Sequence, residues 1–312
     1  MTEKPESSGS STGVESLRPR CRVCGHEYCE SMGAIPASDM FAGRIRPSPA
    51  PGGWLWRCPG CDSLFRHPVP AEEDYLSLYE SVDCGVWQAG ALRKDQKLVH
   101  AAVTRYIGGG RILDVGCFTG QLLCGFDASY EKFGVEPAVT AAESAKKKGI
   151  HVLGATLDDV PDEMRFDCIL SIDVVEHLLD PARFFRRALD LLNPRGLLVI
   201  STGNPGSFAW RYVFKSRFWY VTNAEHVSFP SKKFIDGIAR EMSSSVVETT
   251  NFRYDDPGLL RRSVKFAGQV VYAVSPRLYN LIRGRGGDGS RFPSIYSLGV
   301  FSDHHLIAVQ RP

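Results

Sequence analysis

Hydrophobic residues along this chain follow two alternating patterns between about residues 92 and 205. Short runs rich in apolar residues, such as Arg111–Val115 and Phe166–Ser171, are separated by segments whose apolar positions recur every three or four residues. Strands that alternate with helices in this way are typical of a parallel sheet covered by crossover helices. The pattern therefore predicts an α/β fold with a doubly wound, mostly parallel sheet.

The boundaries of several elements carry their own signals. The glycines at 108–110 end a helix predicted over Leu92–Ile107, and Asp180 followed by Pro181 is a typical helix start, with Asn193–Gly196 as the stop. The other predicted elements, in chain order, are helix Gly120–Phe126, strand Lys132–Glu136, helix Ala138–Lys148, strand His151–Leu153, helix Pro181–Leu192, strand Leu197–Thr202, helix Ser231–Arg240, strand Val246–Asn251 and strand Leu306–Gln310.

The composition is that of an ordinary globular protein. The 312 residues are 43% hydrophobic and 11% aromatic, which suffices for a large domain with a small one attached. A net charge of +2 gives no argument for binding a polyanion, so nucleic acid is not an expected partner. Neither a transmembrane stretch nor a signal peptide is recognisable, and we expect a reducing, cytoplasmic location. Residues 1–18, rich in Ser, Gly and Glu, are expected to form a disordered tail.

Two Cys-x-x-Cys pairs, Cys21 with Cys24 and Cys58 with Cys61, lie on either side of a stretch rich in Pro and Gly. Four thiolates at this spacing fill the tetrahedral coordination of one zinc ion, which is structural because no ligand position stays open. A segment this short has no large core of its own, so a metal would supply its stability. The sequence predicts a zinc ribbon over residues 19–70, with two unrelated cysteine pairs as the alternative.

A second set of residues favours a nucleoside-containing cofactor. Asp114 ends a predicted strand, and Gly116 allows the backbone to turn closely around a ligand at the start of the next helix. Twenty residues beyond Gly116, Glu136 ends the following strand, where a carboxylate accepts the hydroxyl groups of a ribose. A dinucleotide motif requires glycine at the position of Phe118. The alternative is that Asp114 caps a helix and Glu136 is a solvated strand end.

At these residues the chain resembles the class I S-adenosylmethionine-dependent methyltransferases, and in particular the ubiquinone-biosynthesis O-methyltransferases. The resemblance covers residues 90 to 205, approximately, and follows the order of the family's motifs. It implies a Rossmann-like methyltransferase domain over residues 71–312, which binds S-adenosylmethionine and transfers its methyl group. The matching segments are Leu113–Gly120, Phe133–Pro137, Gly154–Pro161, Phe166–Pro181 and Leu192–Ile200.

The resemblance also implies roles for individual positions. Asp114 and Gly116 would lie by the amino-acid end of the cofactor, Glu136 on its ribose, Thr156, Leu157 and Asp158 beside its adenine, and Asp173 in the transfer pocket. The family usually has glycine where this chain has Phe118, so a non-catalytic scaffold with a degenerate cofactor site is one alternative. The implied cofactor-binding set is Asp114, Gly116, Cys117, Phe118, Gly120, Glu136, Pro137, Thr156, Leu157, Asp158 and Asp173.

Glu225 and His226 form the predicted catalytic pair. A histidine titrates near neutral pH and can therefore remove a proton from an acceptor, and Glu225 is its adjacent carboxylate. The same step resembles zinc-ribbon-bearing deoxysugar C-methyltransferases, in which the matching histidine is the implied base. Asn223 stands where that group tends to have tyrosine, which favours methylation of oxygen over carbon. The alternative for His226 is a pocket wall, and His177 either reaches the transfer site or stabilises its own turn.

The expected acceptor is a small molecule: a sugar, a nucleotide-linked sugar or a polyketide-like metabolite. Its contacts are assigned to the ribbon and to insertions over residues 206–230 and 257–300. The enzymatic alternative is an RNA or protein methyltransferase that uses the ribbon for recognition, although the ribbon has few basic residues. Residues 257–287 are basic and apolar without an acidic residue. They predict either peripheral contact with an anionic membrane or, as the favoured interpretation, a helical insertion over the active site.

Overall fold

The computed structural model of the chain contains a seven-stranded sheet flanked by helices and, next to it, a smaller sheet formed mainly by N-terminal residues. The predicted tail over residues 1–18 lies outside the described residues apart from Arg18, and so do the domain boundary at residue 70 and most of residues 276–300. The structure describes residues 18–41, 44–50, 52–69, 93–253, 258–275, 278–279 and 301–312.

The predicted strands and helices between residues 94 and 310 occur in the predicted order, and the structure adds, within the residues it describes, five strands before residue 70, a helix at Trp219–Thr222 and a strand at Ser228–Phe229. The strands are β1 (Glu30–Ile35), β2 (Ser38–Phe41), β3 (Arg44–Ala50), β4 (Gly53–Arg57), β5 (Leu64–His67), β6 (Gly110–Val115), β7 (Tyr130–Val135), β8 (His151–Gly154), β9 (Phe166–Ile172), β10 (Leu192–Gly203), β11 (Ser228–Phe229), β12 (Ser245–Phe252) and β13 (His304–Gln310). The α-helices are α1 (Lys94–Tyr106), α2 (Gln121–Cys124), α3 (Val139–Lys147), α4 (Pro181–Asp190), α5 (Trp219–Thr222), α6 (Lys232–Glu241) and α7 (Leu259–Val274).

The seven strands of the large sheet lie in the order β12-β13-β10-β9-β6-β7-β8. The five strands β10, β9, β6, β7 and β8 pair in parallel with their neighbours. Strand β13 is antiparallel to both β10 and β12. The chain order reverses between β6 and β9, where an open α/β sheet forms a crevice for ligands at the carboxyl ends of its strands. The predicted doubly wound, mostly parallel sheet is confirmed.

Alternate residues of the central strands contribute to two apolar cores, one on each face of the sheet. Leu113 and Val115 of β6 belong to the cluster that contains Phe185 of α4, whereas Ile112 belongs to the cluster that contains Val99 of α1. Strands that are buried on both faces have nearly continuous apolar sequences. This double burial explains the short apolar runs from which the sheet is predicted.

Helix α4 begins where the sequence predicts. The Asp180 side chain accepts a hydrogen bond from the backbone N–H of Arg183 (3.0 Å), and Pro181 occupies the first helical position. This cap satisfies one of the N–H groups that have no partner inside the helix. Phe184 and Phe185 pack the helix against the sheet. This packing fixes the position of the connection between β9 and β10.

Most predicted boundaries lie within a few residues of the observed ones, but β10 differs. It begins at Leu192, whereas the sequence predicts a start at Leu197. The pairing with β9 is irregular between these two residues, and the Asn193 side chain donates a hydrogen bond to Asp167 (2.9 Å). The stretch Asn193–Gly196 therefore continues the strand through an irregularity and does not separate it from the preceding helix.

The smaller sheet joins N-terminal strands to a strand from the second half of the chain. Its order is β1-β4-β5-β11, and β11 pairs antiparallel with β5. The backbone N–H of Arg66 extends this pairing by donating to the carbonyl of Val227 (2.9 Å). The predicted ribbon and the predicted methyltransferase region therefore share one hydrogen-bonded sheet.

Buried side chains strengthen this junction. Arg66 donates through Nη2 to the backbone carbonyls of Val221 (2.6 Å) and Asn223 (3.0 Å). Ser231, which caps α6, donates its hydroxyl hydrogen to the carbonyl of Cys61 (2.5 Å). Buried carbonyl groups need such partners, since an unpaired one costs about 1–3 kcal/mol. N-terminal residues thus hold the segment between α5 and α6 at both of its ends.

Helix α7 is the described part of the predicted insertion over residues 257–300, together with residues 278–279. Tyr272 of α7 packs in an apolar cluster with Trp210 and Phe218, and Leu55 and Leu64 of the small sheet belong to the same cluster. None of the described helices is both long enough and apolar enough to cross a bilayer.

Candidate active site

The turn after β6 wraps around the carboxyl end of the strand. The backbone N–H groups of Gly116 and Cys117 both donate to the carbonyl of Val135 at the end of β7 (2.9 and 3.1 Å). Gly116 and Gly120 have φ angles of +75°, and Phe118, between them, has a φ of +47°. A side chain in this left-handed region costs roughly 1–2 kcal/mol relative to glycine. Phe118 therefore adopts a conformation that glycine takes at lower cost, at the expense of backbone strain.

Glu136 ties this turn to the start of the next helix. Its Oε2 atom accepts the backbone N–H of Phe118 (2.8 Å), and its Oε1 atom accepts the N–H of Ala138 (2.8 Å), directly before α3. Burial raises the pKa of Glu136, while these two hydrogen bonds oppose that shift. The carboxylate thus fixes the relative positions of the two loops that border the crevice.

Asp114 lies beside Glu136 and is held differently. Its side chain is buried, and within the described part of the chain no N–H or O–H group donates to its carboxylate. Burial, and secondarily the charge of Glu136, raises the pKa of Asp114 to about 8. Two neighbouring carboxylates in a dry site favour a positive charge between them. The crevice is accordingly suited to a cationic ligand.

The predicted adenine-binding residues follow β8 in a short 3₁₀ turn. Thr156 precedes the turn, Leu157 is buried, and Asp159 accepts the backbone N–H groups of Ala155 and Thr156 (2.8 and 2.7 Å). Asp158 forms a mostly exposed ion pair with Arg183 of α4 (2.9 Å). The hydrogen bonds of Asp159 shape this loop, which lies at the same edge of the sheet as Asp114.

Asp173 follows β9 and is fixed by a residue that the sequence does not indicate. Its φ is +56°, and its backbone N–H donates to the carbonyl of Ser201 in β10 (2.9 Å). The guanidinium of Arg93, at the start of α1, donates to Asp173 (2.8 Å) and to the fully buried Asp95 (2.6 Å). Arg93 thus links α1 to the predicted transfer pocket, and Asp95 orients Arg93.

Glu176 lies one turn further along and is completely buried. It accepts hydrogen bonds from the hydroxyl groups of Thr202 (2.7 Å) and Tyr220. Burial, and then the charge of Asp173, raises the pKa of Glu176 to about 7. Glu176 belongs to the Asp-Val-Val-Glu-His motif of the sequence, but its hydroxyl partners come from β10 and α5.

His177 and His226 face each other at a ring-centroid distance of 4.8 Å. Nδ1 of His226 lies 2.7 Å from the carbonyl of Tyr220, and Nδ1 of His177 lies 3.1 Å from the carbonyl of Glu225. Because a carbonyl oxygen only accepts, each of these Nδ1 atoms carries a hydrogen, and in neutral His226 the Nε2 atom retains its lone pair. Burial lowers the pKa of both imidazoles, and His177 lowers that of His226 further. Both rings are therefore neutral at neutral pH.

Glu225 and His226 are neighbours in the sequence, but the hydrogen bonds of the His226 ring do not follow that order. The carbonyl of Tyr220 is the hydrogen-bond partner of His226, and Glu225 contributes its own carbonyl to His177. One ligand atom from each of Glu176, His177 and His226 lies within 4.8 Å of the others, close enough for a metal ion. Since both oxygens of Glu176 already accept hydroxyl hydrogens, we assign no metal to this cluster.

The four predicted metal ligands lie together in the small N-terminal region. The sulfur atoms of Cys21 and Cys61 are 3.8 Å apart, those of Cys24 and Cys58 are 3.6 Å apart, and all four lie within 4.8 Å of one another. Tetrahedral zinc with bonds of about 2.3 Å requires sulfur–sulfur distances of roughly 3.8 Å. Among the described cysteines every one is free of a disulfide. The donor set and its spacing therefore fit structural zinc.

All predicted cofactor residues follow the carboxyl ends of the parallel strands β6, β7, β8 and β9. The structure adds residues that sequence analysis missed, because their partners are distant in the chain. The residues brought to this edge are Asp114, Gly116, Cys117, Phe118, Gly120, Glu136, Pro137, Thr156, Leu157, Asp158 and Asp173. The missed residues are Arg66, Arg93, Asp95, Glu176, Thr202 and Tyr220.

This sheet order, with a glycine-bearing turn after its first central strand and acidic residues at two strand ends, defines the fold of a class I S-adenosylmethionine-dependent methyltransferase. The methyltransferase domain family matches residues 89–248, about half of the chain, and the chain belongs to this family. Among solved structures, phosphoethanolamine N-methyltransferase 2 of Haemonchus contortus, in complex with phosphomonomethylethanolamine and S-adenosylhomocysteine, is similar with a TM-score of 0.53 and 16% identity. The match covers 80% of this chain and 62% of that one, and it shows a common fold.

Curated relatives match the central part of the sequence. A ubiquinone biosynthesis O-methyltransferase of Bradyrhizobium diazoefficiens is 33% identical over 128 residues, which are 38% of this chain and 49% of that protein. A ubiquinone biosynthesis O-methyltransferase of Azorhizobium caulinodans is 38% identical over 110 residues, which are 32% of this chain and 43% of that protein. The chain thus spans about half the length of the curated relatives it matches.

The turn after β6 generates a test of its close packing. A Cβ atom at Gly116 would lie 2.7 Å from Cγ2 of Val174, whereas a Cβ atom at Gly149 would meet nothing within 4 Å. Both glycines have positive φ, so Gly149→Ala should lower the free energy of unfolding by about 1–2 kcal/mol through backbone strain alone. Gly116→Ala should cost about 1–3 kcal/mol more, because Val174 has to move. Urea denaturation measures both, and equal losses would contradict the packing.

Proposed function

We propose that this protein transfers the methyl group of S-adenosylmethionine to a hydroxyl group of a small-molecule acceptor. The observation that carries the proposal is the pair of buried carboxylates Asp114, at the end of β6 beside the point where the strand order reverses, and Glu136, directly after the neighbouring strand β7. The relatives named ubiquinone biosynthesis O-methyltransferases support oxygen as the methylated atom. A phenol and a sugar hydroxyl are both acceptors of this kind.

The residues of the crevice fit the donor by charge and by hydrogen bonding. The Asp114 carboxylate would accept hydrogen bonds from the positively charged amino group of S-adenosylmethionine, because no group among the described residues donates to it. Glu136 would accept the ribose hydroxyls with the lone pairs that Phe118 and Ala138 leave open. When bound, S-adenosylmethionine supplies a methyl carbon that is already activated by its sulfonium. The protein then has to align the acceptor and take up its proton.

We assign the uptake of that proton to His226, whose burial lowers the pKa of its imidazole below the near-neutral value that the sequence suggests and keeps it in the neutral, proton-accepting form. Its neutral imidazole carries hydrogen on Nδ1, and within the described residues no group hydrogen-bonds to Nε2. Nε2 of His226 would therefore take up the hydroxyl proton of the acceptor when its oxygen is methylated. The carbonyl of Tyr220 keeps the imidazole in the required tautomer, and Glu176 holds the Tyr220 hydroxyl.

The alternative of RNA recognition by the ribbon has less support. Arg57 of the ribbon pairs with Asp62 (2.8 Å) and Glu30 (3.0 Å), and Arg22 donates to the carbonyl of Leu179 (3.2 Å). These arginines are engaged in contacts within the protein, which reduces the positive charge available to phosphates. A small-molecule acceptor is therefore the better supported substrate class.

The raised pKa of Asp114 predicts that cofactor binding depends on pH. Below about pH 8 the free protein holds a proton on Asp114, and a cationic ligand must displace it. The association constant for S-adenosylhomocysteine should therefore rise by up to about tenfold per pH unit between pH 6 and 8. Calorimetric titration measures this slope, and Asp114→Asn should flatten it. A wild-type affinity that does not change over this range would contradict the role of Asp114.

Replacing the proposed base tests the transfer step. We expect His226→Ala to lower turnover by about 10²-fold or more, because proton removal contributes this much in related chemistry. Affinity for S-adenosylhomocysteine should stay unchanged. His151→Ala, at an exposed histidine in β8, is the matched control and should retain turnover. Release of S-adenosylhomocysteine in the presence of catechols and nucleotide-linked sugars is the assay, and near-normal turnover of His226→Ala would make that residue a pocket wall.

We also propose that Cys21, Cys24, Cys58 and Cys61 bind a structural zinc ion, which supports the segment that carries His226. Cys58→Ser should then bind less than about a tenth of the zinc of the wild type, unfold at lower denaturant and lose turnover. It should still bind S-adenosylhomocysteine. Cys124→Ser, at an exposed cysteine outside the cluster, is the matched control. Elemental analysis of the purified proteins measures zinc, and full turnover without zinc would refute the supporting role.

A further inference from the structure

Helix α7 carries most of its apolar residues on the side that faces away from the protein. Leu260 is 82% exposed, Val274 74% and Val264 62%. The buried positions of this helix are Gln269 and Tyr272. A surface helix of a globular protein normally buries its apolar stripe and exposes its polar face. In α7 the apolar residues Val271, Tyr272 and Ala273 pack against the buried cluster, but a wide apolar face stays exposed.

The outward residues form one continuous surface, which we call the apolar stripe. With 3.6 residues per turn, its members occupy an arc of roughly 160° around the helix axis. Ser263 is the single hydroxyl-bearing residue within that arc. The members of the apolar stripe are Leu259, Leu260, Val264, Phe266, Ala267, Val270 and Val274.

The opposite side of α7 is fixed to the protein by hydrogen bonds. Gln269 donates through Nε2 to the carbonyl of Arg217 (3.0 Å), and Arg217 donates through Nη1 to the carbonyl of Ala273 (2.8 Å). Phe266 lies at the edge of the apolar stripe that is nearer to the protein, and its ring is 6.3 Å from that of Phe214, a residue of the neighbouring buried cluster. These contacts hold the helix in place, so the apolar stripe remains turned outward.

Positive charge borders the apolar stripe. Arg261 and Arg262 lie near its two edges, and Lys265 lies on the side opposite to it, by the helical periodicity. Residues 258–287 contain six basic residues and no acidic residue. A wide apolar face flanked by Lys and Arg is the pattern of helices that lie in the interface of an anionic bilayer.

We propose that α7 docks this protein on the surface of an anionic lipid bilayer, with the apolar stripe among the acyl chains and the flanking basic residues at the headgroups. A second copy of the chain is a less suitable occupant, because two such faces would bring their basic borders together and repel each other. Lipid phosphates instead neutralise that charge. The proposal is independent of the proposed methyl transfer.

Vesicle binding by the full chain tests the proposal. With equimolar phosphatidylglycerol and phosphatidylcholine, most of the protein should sediment with the vesicles, and binding to phosphatidylcholine alone should be at least about tenfold weaker. Val264→Glu should lower binding to the anionic vesicles by about tenfold or more, since it places a charge in the apolar stripe. Val139→Glu is the matched control, because Val139 is 65% exposed at the start of α3, as against 62% for Val264, and it should bind normally.

Two results would overturn the proposal. The first is equal binding of wild type and Val264→Glu, with circular dichroism showing that both are folded. The second is a wild type that ignores anionic vesicles but dimerises in sedimentation velocity, with Val264→Glu remaining monomeric. That second outcome would assign the apolar stripe to self-association. Neither measurement requires an acceptor or turnover, so its result is separate from the test of the enzymatic reaction.

Discussion

The burial of two carboxyl groups at the ends of adjacent strands is the constraint on which the rest of this molecule depends. Asp114 ends β6, beside the point where the strand order reverses, Glu136 follows the adjacent strand β7, and both side chains are removed from bulk water. Glu136 is compensated by the backbone N–H groups of Phe118 and Ala138, whereas Asp114 has no donor within the described residues. Charges in a dry site are tolerated only when they are paired. Because its pKa is raised to about 8, Asp114 is protonated and neutral at neutral pH, and a positively charged ligand can replace that proton.

The cofactor side of the site is largely accessible to sequence analysis because its signals are local. Asp114 and Glu136 are separated by a single strand–helix–strand unit, so their spacing alone places both at one edge of the sheet. Arg93 shows where this reasoning ends. It is a single arginine at a helix start, and its partner Asp173 is 80 positions away in sequence. No periodicity or motif indicates a contact of that range.

The acceptor side is less predictable for a related reason. Sequence adjacency indicates Glu225 as the partner of His226, but the structure gives that role to the backbone carbonyl of Tyr220. Every residue has a backbone carbonyl, so no pattern of residue types identifies this hydrogen bond. Arg66 is a similar case, since it reaches two backbone carbonyls 155 and 157 positions away. The residues next to Arg66 in the sequence predict its place in the ribbon. They do not predict the distant loop whose carbonyl groups it binds.

The shared small sheet also defines which part of this protein behaves as an exchangeable module. Because β11 pairs with β5, and Arg66 grips the backbone between α5 and β11, the cysteine-bearing region and that loop form one structural unit. In a chimaera in which only the first seventy residues are replaced, β11 would have to pair with a strand from another protein. We expect that change to displace His226. Recombination between related enzymes would thus preserve the geometry of this loop only when both pieces are inherited together.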